Sequence, residues 1–261
     1  MAYVEFLRVR HALIVYAAIV LTLAAAFVVS FDLTFAGRTG SDALRNVHVP
    51  LGLLLGIAGY ASVAFATVLA ASLNADRGGF AFTKPVSRAR WAASYMLVDV
   101  AAILAAYTVA LAGAVLLPLM TIGLIAHVYV DPHAAGIGLL GFGIALMWYG
   151  LLQAATVAYP GSGGRIVGLS WGAFFMLVTL PGATFLGPAF HAVVTALNVV
   201  NPVAYFSSLT SGANDSNSTR ASYAVARSVF AWSTEARAAT TLAIGLAACA
   251  LAAALARRVE V

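Results

Sequence analysis

Six long runs of apolar residues, at about 12–31, 49–72, 92–117, 135–158, 166–189 and 238–256, alternate with shorter stretches that hold nearly all of the charge. Each run is close to or above the ~20 residues that an α-helix needs to cross a hydrocarbon layer ~30 Å thick. The runs are continuously apolar and do not alternate with period two, so they predict helices and not the strands of a barrel. Six crossings put both termini on one side. Ahead of the first run, Tyr3, Phe6 and Leu7 share one helical face and Glu5 and Arg8 another, which suits a short helix lying in the interface. The expected fold is therefore all-α: a single polytopic membrane domain over residues 1–261, with six transmembrane helices and an N-terminal interfacial helix.

Two further segments, 118–130 and 191–206, are too apolar for ordinary loops, and the second contains an Asn201–Pro202 step. Irregular backbone at membrane depth persists only where protein or a water-filled cavity satisfies its polar groups. Both segments are thus expected as re-entrant or interfacial pieces packed into the bundle. Residues 211–220 read as a polar loop. Residues 221–236 read as an amphipathic helix, with Tyr223, Ala226, Val229 and Phe230 at helical spacing and Trp232 placed to anchor at the headgroups. The whole stretch from about 190 to 237 is expected on the outer side.

Charge sets the orientation. Arg8, Arg10, Arg77, Lys84, Arg88, Arg90, Arg165, Arg257 and Arg258, nine of the 14 basic residues, fall on one side of the predicted membrane. On the other side Arg38, Arg45, Arg220, Arg227 and Arg237 are opposed by Asp32, Asp42, Asp131, Asp215 and Glu235. Because Lys and Arg resist translocation, the first side is cytoplasmic and holds both termini, as in a bacterial inner-membrane protein. Composition agrees with lipid as the solvent: 62% of residues are hydrophobic and 9% charged, against about 25% charged in soluble domains. The net charge of +5 is not gathered into a basic stripe, so a nucleic-acid partner is not expected. The single Cys249 excludes an intrachain disulfide and a multi-cysteine metal site.

The stretch 74–90, Asn-Ala-Asp-Arg-Gly-Gly-Phe-Ala-Phe-Thr-Lys-Pro-Val-Ser-Arg-Ala-Arg, is charged, aromatic and conformationally punctuated at once. Gly78 and Gly79 permit a sharp bend after the second span, and Pro85 interrupts the approach to the third. Phe80 and Phe82 would be exposed apolar groups unless a partner covers them. Arg77, Lys84 and Arg88 supply the cations. Here the chain resembles the membrane subunits of type-2 ABC exporters, in which an acidic residue and a glycine pair lead to a Lys-Pro-Val-Ser-Arg-like step before the third helix. Asp76, Gly78, Gly79, Pro85, Val86, Ser87 and Arg88 carry the match, although the family often has Glu where Asp76 stands. The resemblance implies that residues 74–90 form a coupling helix docking on a separate ATP-hydrolysing subunit, with Asp76, Arg77, Gly78, Gly79, Phe80, Lys84, Pro85 and Arg88 at the contact. It also implies a homodimer or a pair with a related permease. ATP and Mg would then bind in the partner, and this chain would bind no cofactor and hold no enzymatic site. A Gly-x-x-x-x-Gly-Lys-[Ser/Thr] phosphate loop is absent from the sequence, so the chain is not expected to hydrolyse ATP itself.

Other candidate chemistry is sparser. Asp99 is the one acid well inside a predicted span, and Tyr95 and Tyr107 share its helical face. The three read either as a gating or proton-sensitive set, or as a carboxyl hydrogen-bonded to a neighbouring helix. Gly168-Leu-Ser170-Trp-Gly172 matches the Gly-x-Ser-x-Gly of nucleophile elbows. Gly164, Gly168 and Gly172 at four-residue spacing read more simply as a face for close helix packing, a device repeated by Gly52 and Gly56. His48, His127, His133 and His191 map to the outer edge, without the spacing of a metal site. The expected function is a transport subunit for an apolar, amphiphilic or lipid-linked cargo, since few charges line the spans. An intramembrane enzyme using Ser170, and a passive channel or assembly scaffold, are the alternatives.

Overall fold

The computed structural model describes residues 2–35, 46–76, 88–120, 125–159, 162–179, 187–205 and 232–256. Its elements are α1 (Ala2–Phe35), β1 (Asn46–Pro50), α2 (Leu51–Asp76), α3 (Arg88–Met120), β2 (Ile125–Tyr129), α4 (Ala134–Ala158), α5 (Gly163–Thr179), α6 (Gly187–Val199) and α7 (Thr234–Ala256). Five of these helices, α1 to α4 and α7, are long and apolar enough to cross a membrane. The protein is an all-α membrane bundle to which one small pair of strands is added.

Three differences from the sequence reading have physical causes. No separate interfacial helix precedes the first span: α1 runs unbroken for 34 residues. Ala2 to Phe35 contains neither Gly nor Pro, so nothing interrupts the helix. At 1.5 Å per residue α1 is about 51 Å long, some 20 Å more than the hydrocarbon layer. The run at 166–189 is divided between the 17-residue α5 and the 13-residue α6, with Pro181 and Gly182 falling in the interval between them. Finally, β1 and β2 pair in parallel, with His48 opposite His127 and Val49 opposite Val128. The segment expected to be re-entrant at 118–130 is thus partly a strand. Its β-branched and aromatic residues suit a pleated surface, and Pro50, which has no N–H, closes β1 where the ladder ends.

Contacts fix the helix directions. Arg8 meets Asp99 and Val20 lies against Gly113, so α1 and α3 are parallel. Gly52 lies by Ile137, Gly59 by Gly141 and Thr67 by Trp148, so α2 and α4 are parallel as well. Asp99 meets Tyr149 and Tyr107 meets Gly141, which makes α3 antiparallel to α4. Along α4, Gly136, Gly143 and Gly150 face Thr234, Thr241 and Ala248 in turn, and α7 runs beside α4 in the same direction. One end of the bundle, hereafter the near end, therefore gathers the start of α1, the end of α2, the start of α3 and the ends of α4 and α7.

The central helix is α4, buried over 72% of its apolar window against 6% for α1. Small residues let its neighbours come close. A Cβ on Gly59 would lie 2.5 Å from the Cα of Gly141, and one on Gly150 would lie 2.7 Å from the carbonyl oxygen of Gly245. In lipid, where helices gain no hydrophobic advantage from meeting, such backbone proximity is a principal source of association. Gly136, Gly143 and Gly150 recur every seven residues, the period of helices packed nearly parallel. By contrast, the face expected to pack on α5 is open: among the described residues nothing lies within 4 Å of a Cβ placed on Gly164, Gly168 or Gly172. Gly52 does meet Ile137 and Asp131 as the packing reading expects.

Two polar arrangements satisfy backbone groups where helices begin or turn. The Asp131 carboxylate accepts the Gly52 N–H (2.7 Å) through one oxygen and the His133 N–H (3.1 Å) through the other, so a single side chain caps α2 and the approach to α4. Around the Asn-Pro step, residues 201–205 are buried. Asn201 donates to the Phe174 carbonyl (3.2 Å) and to Asn198 Oδ1 (2.8 Å), and its own oxygen accepts the Val203 N–H (3.0 Å). One amide thus satisfies a turn that lipid could not.

Candidate functional site

Among the described residues Asp99 is the only buried one of the Asp, Glu, Lys, Arg and His type. It sits on α3, eleven residues after Arg88, or about 16 Å along the helix. An isolated carboxylate at such depth costs several kcal/mol, which its neighbours must offset. The Arg8 guanidinium of α1 donates to Oδ1 at 2.5 Å, and the Tyr149 hydroxyl of α4 donates to Oδ2 at 2.6 Å. Hydrogen bonds to a charged acceptor are short and roughly twice as strong as neutral ones. Three helices are thereby joined through one carboxylate.

The surroundings explain why the join holds. Tyr95, one turn nearer the start of α3, is fully buried with Ala92, Met96 and Ala252, and Cys249 of α7 packs against that group. Tyr149 is also fully buried. Little water reaches the pair, so its electrostatic attraction is weakly screened. Only the Arg8 side chain retains partial exposure, at 19%, as a long cation reaching inward from the bundle's edge does.

The residues singled out from the sequence separate into four groups. Tyr95, Asp99 and Tyr107 all face the bundle interior. Tyr107 does not join the Asp99 cluster, because its hydroxyl donates over 3.4 Å to the Leu55 carbonyl beside the Gly59–Gly141 crossing. Asp76 ends α2 and Arg88 begins α3. Arg77, Gly78, Gly79, Phe80, Lys84 and Pro85 lie outside the described residues, as do the expected loop at 211–220 and most of the amphipathic segment at 221–236. Ser170 lies within the continuous helix α5, and so lacks the strained strand-to-helix turn that a nucleophile elbow uses.

Arg8 and Tyr149 do not stand out in the sequence as partners of Asp99. A signal for Arg8 is present: a buried acid needs a cation at its own depth, and Arg8 stands near the start of a span parallel to α3. Tyr149 has none, since phenols are common in apolar runs and only the α3–α4 approach selects this one.

Long apolar helices, glycine-mediated backbone contacts and a charge buried only in the company of its counter-charge define a polytopic α-helical membrane protein. No family model matches the chain, nor does any curated protein or solved structure.

Proposed function

We propose that this chain is the permease subunit of a type-2 ABC exporter in a bacterial inner membrane, coupling ATP hydrolysis in a separate subunit to movement of an apolar, amphiphilic or lipid-linked cargo. The observation that carries the reading is a convergence. The segment 74–90, whose sequence resembles the family's coupling element, spans the end of α2 and the start of α3, both at the near end. Arg8 and Arg10 stand at the same end, and Arg165, Arg257 and Arg258 belong to the chain on either side of helix termini found there. An end rich in cations is the cytoplasmic one by the positive-inside rule, so the segment would meet the cytoplasm, where a soluble ATPase can grip it.

Helix direction supports the six-crossing topology. With α4 and α7 parallel, the chain between Ala158 and Thr234 has to return from the near end to the far end. Residues of α5 and the buried turn at 201–205 lie along that return. Both termini are then cytoplasmic. In operation, closure of the ATP-binding partners would push on the loop around Asp76–Arg90, and α2 and α3 would shift between discrete packings. The chain would act as a homodimer or with a related permease.

Co-purification from native membranes tests the reading. The expected result is a stoichiometric P-loop ATPase, whose hydrolysis is uncoupled from transport by Arg88→Glu or by deletion of residues 78–80 without loss of membrane insertion. Recovery of the chain with no ATP-binding subunit, or unchanged transport in both variants, refutes it.

A further inference from the structure

We infer that Arg8, Asp99 and Tyr149 form a latch holding α1 against the α3–α4 pair near the end of the bundle, so that this one polar cluster sets whether the N-terminal helix is docked or released. Among the described side chains of α1, Phe6, Leu7, Ile14, Val15, Ile19, Leu21, Leu23 and Val29 are exposed, and Val9 alone is fully buried. Its other attachments are partly buried apolar contacts, with Ala12, Leu13 and Tyr16 packed against the core. Tyr16 tilts against Phe65 at 4.9 Å between ring centroids, and Val20 faces Gly113. Apolar contacts of this kind gain little over lipid, because hydrocarbon tails are as apolar as the side chains they replace. The ion pair has no such substitute. If α1 moves away from Asp99, a carboxylate is left in the bundle with its cation removed, and that loss is severe in a medium of low polarity. The contact that lipid cannot replace is therefore the charged one at Asp99, in a short stretch of α1 that also presents Arg10 to the near end.

The position of the latch gives it a role. Asp99 lies about three helical turns beyond the start of α3, and α3 is the helix that continues directly from residues 77–87. A displacement of α3 would be felt through Asp99 by α1 and by Tyr149 of α4 together. That consequence rests on the proposed transport function; the latch itself does not.

Alkylation of a cysteine at position 9 measures it. Val9 is 3% exposed in the docked helix, so in a Cys249→Ala background Val9→Cys should react slowly with a water-soluble maleimide. Arg8→Gln and Asp99→Asn should each raise its labelling at least about tenfold, and the double variant should react no faster than either single. Tyr149→Phe keeps both charges and should give a smaller rise, of about two- to threefold. In the chain with its native cysteine, Cys249 should not react faster in Arg8→Gln, which keeps Asp99 and Tyr149, and this separates release of α1 from loosening of the whole bundle. Unchanged labelling at position 9 in the charge variants overturns the latch, as does a parallel rise at Cys249 in Arg8→Gln. If the charge variants do not accumulate in the membrane, Tyr149→Phe decides alone, and an unchanged rate there overturns the proposal. The labelling needs neither partner nor nucleotide, so a latch found in a chain with no ATP-binding subunit would stand while the transport reading fell.

Discussion

The contact between α4 and α7 at Gly143 can be tested by exchanging the sizes of two side chains. A Cβ on Gly143 would overlap Thr241 Oγ1, with Thr241 Cβ and Leu242 Cγ both next at 3.3 Å. Carbon and oxygen in ordinary contact stand roughly 3.5 Å apart, so Gly143→Ala must push α7 outward or twist Thr241 from its rotamer. Overpacking of one methyl in a tight core costs about 1–3 kcal/mol. Higher helix propensity returns up to ~1 kcal/mol of this. The net expectation is a destabilisation of about 1–2 kcal/mol. Thr241→Ala removes the overlapping oxygen, whose hydrogen bond goes only to carbonyls of its own helix, Arg237 and Ala238, each at 3.0 Å. Alone it should cost less than about 0.5 kcal/mol, and combined with Gly143→Ala it should recover most of the loss, a coupling of about 1 kcal/mol or more. Denaturant unfolding in mixed micelles, monitored by Trp fluorescence, measures all four corners of the cycle. Additive effects, or a Gly143→Ala protein as stable as the parent, would refute the claim that close approach at this residue holds α4 to α7.

Gly59→Ala should resist any such rescue, because its Cβ would strike the Gly141 backbone at 2.5 Å, which no side-chain change can move; its unfolding midpoint should fall in every background. Gly168→Ala meets nothing within 4 Å among the described residues and should be neutral or stabilising by up to ~1 kcal/mol in the same unfolding assay. Asp131→Ala should destabilise by about 1–2 kcal/mol, since the caps at Gly52 and His133 are lost together. Cysteines placed at positions 40 and 84 should be labelled from opposite faces of sealed membranes; labelling from one face would overturn the proposed topology.

Much of the architecture could be read from local pattern, because a membrane span depends on its own composition. The apolar runs locate α1 to α4 and α7 closely. Relations between helices were far less legible. Asp99 stood out as a lone acid, yet its link to Arg8 spans 91 residues and depends on α1 and α3 being parallel, which no local periodicity records. Gly164, Gly168 and Gly172 show why spacing alone misleads: a small-residue stripe permits close packing but does not supply the neighbour. The seam in use, Gly136, Gly143 and Gly150, has a seven-residue period that the four-residue pattern passes over. The strands escaped notice because a five-residue apolar piece between membrane helices resembles helix or interface equally well. Length was also deceptive at the N-terminus, where charged residues suggested a break although nothing in the backbone required one.

The common direction of α2, α4 and α7 carries an electrostatic consequence. Each helix holds about half a positive charge at its N-terminus, and α2, α4 and α7 bring three such poles to the far surface, where the C-termini of α1 and α3 offset only part of them. The acids at that surface answer them: Asp131 sits over the first turns of α2 and α4, and Glu235 lies in the first turn of α7. What the sequence presents as scattered acidic loop residues are counter-ions to a layer of aligned dipoles, positioned where the bilayer's low permittivity would otherwise let that field extend.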